Sequence, residues 1–127
     1  MRSTTMTKTK RAKRLLVVED QGETCLILDL ILSDRKLESD YVHNLLDADE
    51  YLEKNKPRVV ILDNKLPDGY GVDFITYAKK KYPGTKIIMI SGFSTARDVA
   101  MANGADVFLE KPFSLDNVND AIDKVLV

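Results

Sequence analysis

The stretch Val59-Val60-Ile61-Leu62-Asp63 decides the fold, because four apolar residues in a row end abruptly at a carboxylate. An apolar run of this length without alternation is typical of a parallel strand that is buried on both faces. Pro57 precedes the run, and the turn sequence Leu66-Pro67-Asp68-Gly69 follows it closely. The stretch therefore predicts a central strand that delivers Asp63 to one edge of a sheet.

Similar apolar runs lie on both sides of this strand and alternate with segments of helical length. Strong runs cover 15–18, 86–90 and 106–109, and a weaker alternating one covers 37–43. Helices are predicted between them, over 22–33, 47–54, 72–81 and 95–102, and from Ser114 onward. Five strand–helix units with short connections predict an α/β fold, a doubly wound five-stranded parallel sheet covered on both faces.

The charge distribution divides the chain into two parts. The net charge is only −1, but residues 1–14 carry six of the 19 basic residues and no acidic one, which leaves the other 113 residues at −7. The Ser/Thr/Lys composition of residues 1–13 predicts a disordered basic leader, and residues 14–127 suit one domain. An acidic body is not the profile of a nucleic-acid-binding protein.

The apolar residues and the single cysteine narrow the class of protein further. Apolar runs such as 87–90 are far shorter than the roughly 18–20 residues that a membrane-spanning helix needs. Cys25 alone excludes an intrachain disulfide and a thiol metal cluster, which agrees with a cytoplasmic location. The apolar run around Cys25 predicts a small buried side chain. His43, the only histidine, lies far in sequence from the acidic residues, which favours a structural or exposed role.

Chemically active side chains follow four of the predicted strands. In an open parallel α/β sheet, ligands bind at the carboxyl ends of the strands, so these side chains should meet at one edge. Three crowded carboxylates repel one another, and Mg2+ with its oxygen ligands offsets this repulsion. A carboxylate beside Mg2+ can attack a phosphoryl group, while an ammonium and a hydroxyl bind phosphoryl oxygens. The residues are Glu19, Asp20, Asp63, Ser91 and Lys111.

These motifs resemble the receiver domain of two-component response regulators, the family of the chemotaxis response regulator. The resemblance covers residues 14–127 and implies the flavodoxin-like receiver fold. Its motifs are Leu15-Leu16-Val17-Val18-Glu19-Asp20, Val60-Ile61-Leu62-Asp63, Leu66-Pro67-Asp68-Gly69 with Gly71, Met89-Ile90-Ser91-Gly92, Gly104-Ala105-Asp106 and Leu109-Glu110-Lys111-Pro112-Phe113.

The resemblance implies a phosphoacceptor and a set of metal ligands. Asp63 would accept the phosphoryl group, and it would also belong to the Mg2+ site. Asp20 would bind Mg2+ directly, Glu19 mainly through water, and Lys65 through its backbone carbonyl. The domain would be no enzyme beyond assisting its own phosphotransfer and dephosphorylation.

The resemblance also implies a switch. Ser91 would move to bond the phosphate, and the aromatic ring of Phe108 would then turn inward. Lys111 would bind the phosphate, and a cis bond before Pro112 would aim it into the site.

Two features of the sequence depart from the family pattern. The interval from Ser91 to Lys111 is about two residues shorter than is usual, so the fourth helix is expected to be short. Lys65 and Phe93 occupy positions that flank the attacking water in relatives. A cation and a bulky ring there are expected to slow hydrolysis of the acyl phosphate.

The resemblance implies partners, and the sequence leaves the output open. A sensor histidine kinase or phosphotransfer protein would donate the phosphoryl group, and a downstream target protein would read it; no nucleic-acid or membrane contact is expected. Our preferred interpretation is a single-domain response regulator in a two-component or phosphorelay system. A receiver fragment of a larger regulator and a phosphorylation-independent binding module are the alternatives.

Two other protein classes fit the residues less well. A haloacid-dehalogenase-type phosphatase also uses an Asp after a strand, but it needs a second Asp where Lys65 stands. A flavodoxin-like FMN carrier needs a Ser/Thr-rich loop after the first strand. The sequence Asp20-Gln21-Gly22-Glu23 would repel the FMN phosphate there.

Overall fold

The computed structural model describes residues 14–126, so the predicted disorder of the leader lies outside the described residues. Strands and helices alternate along this part of the chain. The strands are β1 (Leu15–Val18), β2 (Ser39–Val42), β3 (Val59–Asp63), β4 (Lys65–Leu66), β5 (Gly69–Tyr70), β6 (Lys86–Ser91) and β7 (Val107–Glu110). The helices are α1 (Gly22–Asp34), α2 (Leu45–Asn55), α3 (Gly71–Lys81), α4 (Ala96–Asn103) and α5 (Leu115–Leu126).

Five of these strands form one parallel sheet in the order β2-β1-β3-β6-β7. The central strand β3 pairs with β1 on one side and with β6 on the other, which places Val18 beside Leu62 and Asp63 beside Ile90. β4 and β5 form a small antiparallel hairpin of their own directly after Asp63. The predicted doubly wound five-stranded parallel sheet is confirmed, and the hairpin stands where the sequence predicted only a turn.

Each face of the sheet has its own core, because successive residues of a strand point to opposite faces. On one face, Leu62 and Met89 pack against buried residues of α2, α3 and α4. On the other face, Ile61 and Ile90 pack against buried residues of α1 and α5. Burying one such side chain contributes about 1.5–3 kcal/mol, so a strand apolar along its whole length gains most at the centre of the sheet. This gain places β3 in the middle and its terminal carboxylate at the middle of the carboxyl edge.

Most ends of the helices and strands lie within one or two residues of the predicted ones. The Ser114 hydroxyl accepts a hydrogen bond from the Asn117 N–H at 3.1 Å, as expected of an N-cap. Gly104 ends α4 in the left-handed conformation with a φ of 114°. α4 has only eight residues, as the short interval before Lys111 predicted. α2 begins earlier than predicted, at Leu45, because Asn44 caps its first turn.

The outer face of α1 is more apolar than is usual for a surface helix. Leu26 and Leu30 are exposed by 60% and 63%.

The prediction that Cys25 is buried was wrong, because this residue is partly exposed. Its Sγ atom lies 3.5 Å from the carbonyl oxygen of Glu19. The run 25–28 is apolar at every position, so its pattern could not distinguish the inner face from the outer one.

Candidate functional site

Parallel pairing brings the predicted site residues to one edge of the sheet. Asp63 and Ser91 end β3 and β6, while Glu19 and Lys111 directly follow β1 and β7. The strands are in register at this level, with Val18 beside Leu62 and Ser91 beside Glu110. A pocket of about 530 Å³ opens here, lined by Asp20, Gln21, Asp63, Asn64, Lys65, Leu66, Pro67, Ser91, Gly92, Phe93 and Lys111.

The Lys111 ammonium joins two carboxylates of this edge. Its Nζ lies 3.0 Å from Oε1 of Glu19 and 3.1 Å from Oδ1 of Asp63. The Glu19 side chain is completely buried, and Asp63 is only 5% exposed. The peptide bond between Lys111 and Pro112 is cis, as the resemblance implied. Because the two acidic groups have little or no contact with water, this shared cation is their principal compensation in the protein itself.

Burial and the crowding of charge shift the ionisation of all three groups. Burial raises the pKa of Glu19 above its ordinary value, and the negative charge of Asp63 raises it further. Burial also raises the pKa of Asp63, although the hydrogen bond from Lys111 opposes this. Burial alone would lower the pKa of Lys111, but its bonds to Glu19 and Asp63 outweigh burial and raise it. The negative charges of the site are therefore incompletely compensated, which favours the binding of a further cation.

The donor atoms of the acidic cluster fit a small hard cation. Glu19, Asp20 and Asp63 each offer a carboxylate oxygen, and these oxygens lie within 4.8 Å of one another. Asp20 is exposed, while Glu19 and Asp63 are buried behind it. Oxygen donors alone, with one side open to water, suit Mg2+ rather than Zn2+ or copper. Lys65, the predicted backbone ligand, lines the same pocket.

The two residues assigned to the switch lie on neighbouring strands, two register positions apart, and differ in their surroundings. Ser91 is 2% exposed, and its Oγ accepts a hydrogen bond from the Phe93 N–H at 3.1 Å. Phe108 is 6% exposed on the neighbouring strand β7, beside Met89 of β6. The guanidinium carbon of Arg97, on α4, lies 4.7 Å from the centroid of the Phe108 ring. The Phe93 ring is 66% exposed and borders the pocket.

The loop after Asp63 is closed by two hydrogen bonds that Asn64 accepts from N–H groups at the start of α3. The carbonyl oxygen of Asn64 accepts a hydrogen bond from the Gly71 N–H at 2.6 Å, and its side-chain Oδ1 accepts one from the Val72 N–H at 3.1 Å. A Cβ atom at Gly71 would overlap the carbonyl oxygen of Asp63 and would lie 3.1 Å from the side chain of Leu62. Only glycine therefore lets α3 begin this close to β3.

Three contacts at the edge of the site were not predicted from the sequence. The Nδ1 atom of His43 lies 2.9 Å from the carbonyl oxygen of Glu19, so the histidine contacts the backbone of the acidic cluster. The Gln21 N–H donates to Oε2 of Glu19 at 3.2 Å. Asp68 accepts hydrogen bonds from two N–H groups at the start of α2. A turn-forming Asp in the sequence was a signal for a local bond, but nothing indicated partners in a distant helix.

Comparison with known proteins agrees with this geometry. The family model of the response regulator receiver domain matches residues 15–123. The response regulator protein PilR of Pseudomonas aeruginosa is 28% identical over 87% of this chain and 25% of its own length. The chemotaxis protein CheY of Listeria monocytogenes is 31% identical over 87% of this chain and 96% of its own length.

Solved structures give the same answer. The receiver domain of a response regulator from Bermanella marisrubri is 30% identical, covers 91% of this chain and 99% of its own, and superposes with a TM-score of 0.84. The chain spans about a quarter of PilR but nearly all of the Listeria CheY. With the family model matched along almost the whole described chain, the protein belongs to the response regulator receiver domain family.

Proposed function

We propose that this domain accepts a phosphoryl group on Asp63 from a phosphohistidine of a sensor histidine kinase or phosphotransfer protein. One observation carries the proposal: the Lys111 ammonium lies 3.1 Å from the Asp63 carboxylate, at the floor of a pocket that also holds Asp20 and Ser91. A nucleophile, a cation and a hydroxyl thus converge where a phosphoryl group would enter. Lys65 stands in this lining two positions after Asp63, where a haloacid-dehalogenase-type phosphatase needs a second Asp.

The transfer step follows from these groups. A carboxylate oxygen of Asp63 forms a bond to phosphorus while the P–N bond of the phosphohistidine breaks. The electron pair of that bond stays on the imidazole nitrogen, and the ring leaves neutral because its other nitrogen already carries a proton. Lys111 and the Ser91 hydroxyl stabilise negative charge on the phosphoryl oxygens, and positioning and electrostatics supply most of the rate. The signal ends when a water oxygen bonds to phosphorus and the P–O bond to Asp63 breaks. The electron pair stays on the carboxylate, and inorganic phosphate leaves.

Glu19, Asp20 and Asp63, with the backbone carbonyl of Lys65, are the residues proposed to hold Mg2+. When bound, Mg2+ offsets charge on the phosphoryl oxygens and on the crowded carboxylates. Lys111 can then exchange its bond to Glu19 for one to a phosphoryl oxygen. Phosphorylation would thereby change the hydrogen bonding of the buried Glu19 carboxylate at the edge of the sheet.

The proposed output is a change of surface that begins at Ser91. Its Oγ accepts from the Phe93 N–H, and within residues 14–126 its own O–H has no acceptor, so a phosphoryl oxygen can accept that proton. Movement of Ser91 would alter the packing around Phe108, which lies one strand away under Arg97. A downstream target protein would read the resulting surface of β7 and α4.

We further propose that residues 14–127 act as the receiver unit of a two-component or phosphorelay system. The matches to nearly all of a CheY and to a quarter of PilR fit both a single-domain regulator and a receiver fragment of a larger regulator. A cytoplasmic location is proposed with this function. No helix within residues 14–126 is long and apolar enough to cross a membrane.

The decisive experiment is incubation with acetyl phosphate and Mg2+, followed by intact-mass measurement. The expected result is a gain of one phosphoryl group that needs Mg2+ and is lost in Asp63→Asn. If acetyl phosphate gives no gain, the same measurement is made with a phosphorylated histidine phosphotransfer protein as donor. No gain from either donor would overturn the proposal and would favour a phosphorylation-independent binding module.

A further inference from the structure

We propose that Asp68 is a positioning residue for the Mg2+ site, which ties the loop after the phosphoacceptor to the first turn of α2. Its Oδ1 accepts a hydrogen bond from the Leu45 N–H at 2.8 Å, and its Oδ2 accepts one from the Leu46 N–H at 3.0 Å. Asp68 does not itself line the pocket, whose wall along this loop ends at Pro67. The inference rests on the proposed function, because it concerns the same metal site.

The bonds of Asp68 satisfy two N–H groups in the first turn of α2 that the side chain of its N-cap does not bind. The first N–H groups of a helix have no partner within the helix. The side-chain Oδ1 of Asn44, the N-cap, accepts from the Asp47 N–H at 2.7 Å. The N–H groups of Leu45 and Leu46 bind instead to the carboxylate of Asp68, which is 23 and 22 residues away in sequence, respectively. Charge-assisted bonds at the positive end of a helix are among the stronger hydrogen bonds in proteins.

The two hydrogen bonds from Asp68 to α2 form a tether, and the geometry of the loop shows that this tether holds the hairpin of β4 and β5 in place. At its base, the Gly71 N–H is bonded to the carbonyl oxygen of Asn64. Along its length, Lys65 pairs with Tyr70 in the hairpin of β4 and β5. At its tip, the carboxylate of Asp68 is bonded to α2, and Cδ1 of Leu45 would lie 3.1 Å from a Cβ atom built on the adjacent Gly69. The backbone of Lys65, a proposed metal ligand, is therefore held between an anchored base and an anchored tip.

Because both anchors define the position of Lys65, metal binding and the start of α2 should be coupled. Loss of the tip anchor lets the hairpin move, and the metal must then order it again, which lowers affinity. By thermodynamic reciprocity, Mg2+ should in turn protect the amide protons of Leu45 and Leu46. The coupling would carry the state of the acceptor site to α2, which belongs to the opposite face of the sheet from α1 and α5.

The test compares Mg2+ binding by the full chain with that of its Asp68→Ala variant, using isothermal titration calorimetry. The expected result is an affinity lower by about five- to tenfold in the variant, the low end of typical coupling between sites. Amide hydrogen exchange supplies a second readout: Leu45 and Leu46 should gain protection with Mg2+ in the wild type and not in Asp68→Ala. Circular dichroism verifies that the variants fold.

Asn44→Ala is the matched control, since it removes a cap bond from the same helix turn without touching the loop. Its Mg2+ affinity should stay within about twofold of the wild type. Asp68→Asn, which keeps one acceptor oxygen, should give an intermediate loss. Titration at high ionic strength separates the tether from the lost charge, because salt screens the charge effect only.

Three outcomes would overturn the inference alone: unchanged Mg2+ affinity in Asp68→Ala, an equal loss in Asn44→Ala, or a loss that disappears at high ionic strength. Failure of the proposed function has a different signature. In that case the wild type would bind no Mg2+, or Asp20→Asn would bind it as well as the wild type does.

Discussion

The Nζ atom of Lys111 lies 3.0 Å from Oε1 of Glu19, a side chain with no exposed surface. Within residues 14–126, no other lysine or arginine forms an ion pair with Glu19 or with its neighbour Asp63. A single ammonium therefore compensates two buried carboxylates. Its removal should affect the stability of the protein as well as its chemistry.

Lys111→Met should lower the free energy of unfolding by about 3 kcal/mol in the absence of divalent cations, because it leaves buried carboxylates without a partner. Mg2+ should restore part of this loss, since saturation to about 100 times Kd contributes about 2.7 kcal/mol. Urea denaturation with and without Mg2+ measures both effects. The control is Lys86→Met, whose ammonium is exposed and lies 3.9 Å from Asp106. Equal stabilities of Lys111→Met and the wild type without Mg2+ would contradict the prediction.

Gly71→Ala should destabilise the protein by about 3 kcal/mol, because the added methyl group must displace the carbonyl of Asp63 or the start of α3. Phosphorylation should also slow, since the same displacement moves the acceptor residue. Thermal or urea unfolding measures the first effect. Gly84→Ala is the matched control, because no atom lies within 4 Å of a Cβ built there. A Gly71→Ala variant as stable as the control would show that the close approach is relaxed in solution.

The bonds of Asp68 predict a pH dependence of stability. The N–H groups of Leu45 and Leu46 hold the pKa of Asp68 below its ordinary value of 3.8. A lowered pKa means that the contribution of Asp68 is fully present above 3.8 and is lost as the pH falls through the lower, folded-state pKa. The difference in unfolding free energy between the wild type and Asp68→Asn should therefore be constant near neutral pH and shrink in acid. A difference that grows in acid would contradict the assignment.

Phe93→Ala and Lys65→Ala should each shorten the lifetime of the phosphorylated form. Both side chains line the pocket, and the Phe93 ring stands exposed at its edge, where it can hinder an approaching water. The expected change is about threefold or more, the size of a modest loss of steric or electrostatic control. Loss of the phosphoryl mass over time measures it. Leu26→Ala, which changes a similarly exposed apolar residue on α1, serves as control and should leave the lifetime unchanged.

Arg97→Ala should loosen the packing of Phe108, whose ring the guanidinium covers at 4.7 Å. A cation–π contact at an exposed site is worth about 0.5–1 kcal/mol, so the stability should fall by about that amount. NMR of the Phe108 ring protons should report faster motion and a shifted resonance. Arg97→Lys, which keeps the charge but loses the planar group, should recover only part of the effect. Unchanged ring resonances in Arg97→Ala would show that the contact does not order the ring.

Much of the fold was predictable because it depends on local patterns. The uniformly apolar run that ends at Asp63 indicates a strand covered on both faces, and parallel strands bring their carboxyl ends to one edge. The juxtaposition of Glu19, Asp20, Asp63 and Lys111 followed from that rule before any distance was known. The caps at Ser114 and Gly104 follow equally from short-range chemistry.

The tertiary structure alone decided which distant groups share a hydrogen bond. The tether from Asp68 and the contact of His43 with Glu19 each join residues more than 20 positions apart. The partly exposed position of Cys25 was also decided by packing, since the run around it is apolar on every side. Hydrophobic pattern and turn chemistry report on a residue's immediate neighbours. Such partners are chosen by the packing of whole helices against the sheet, which the local pattern does not contain.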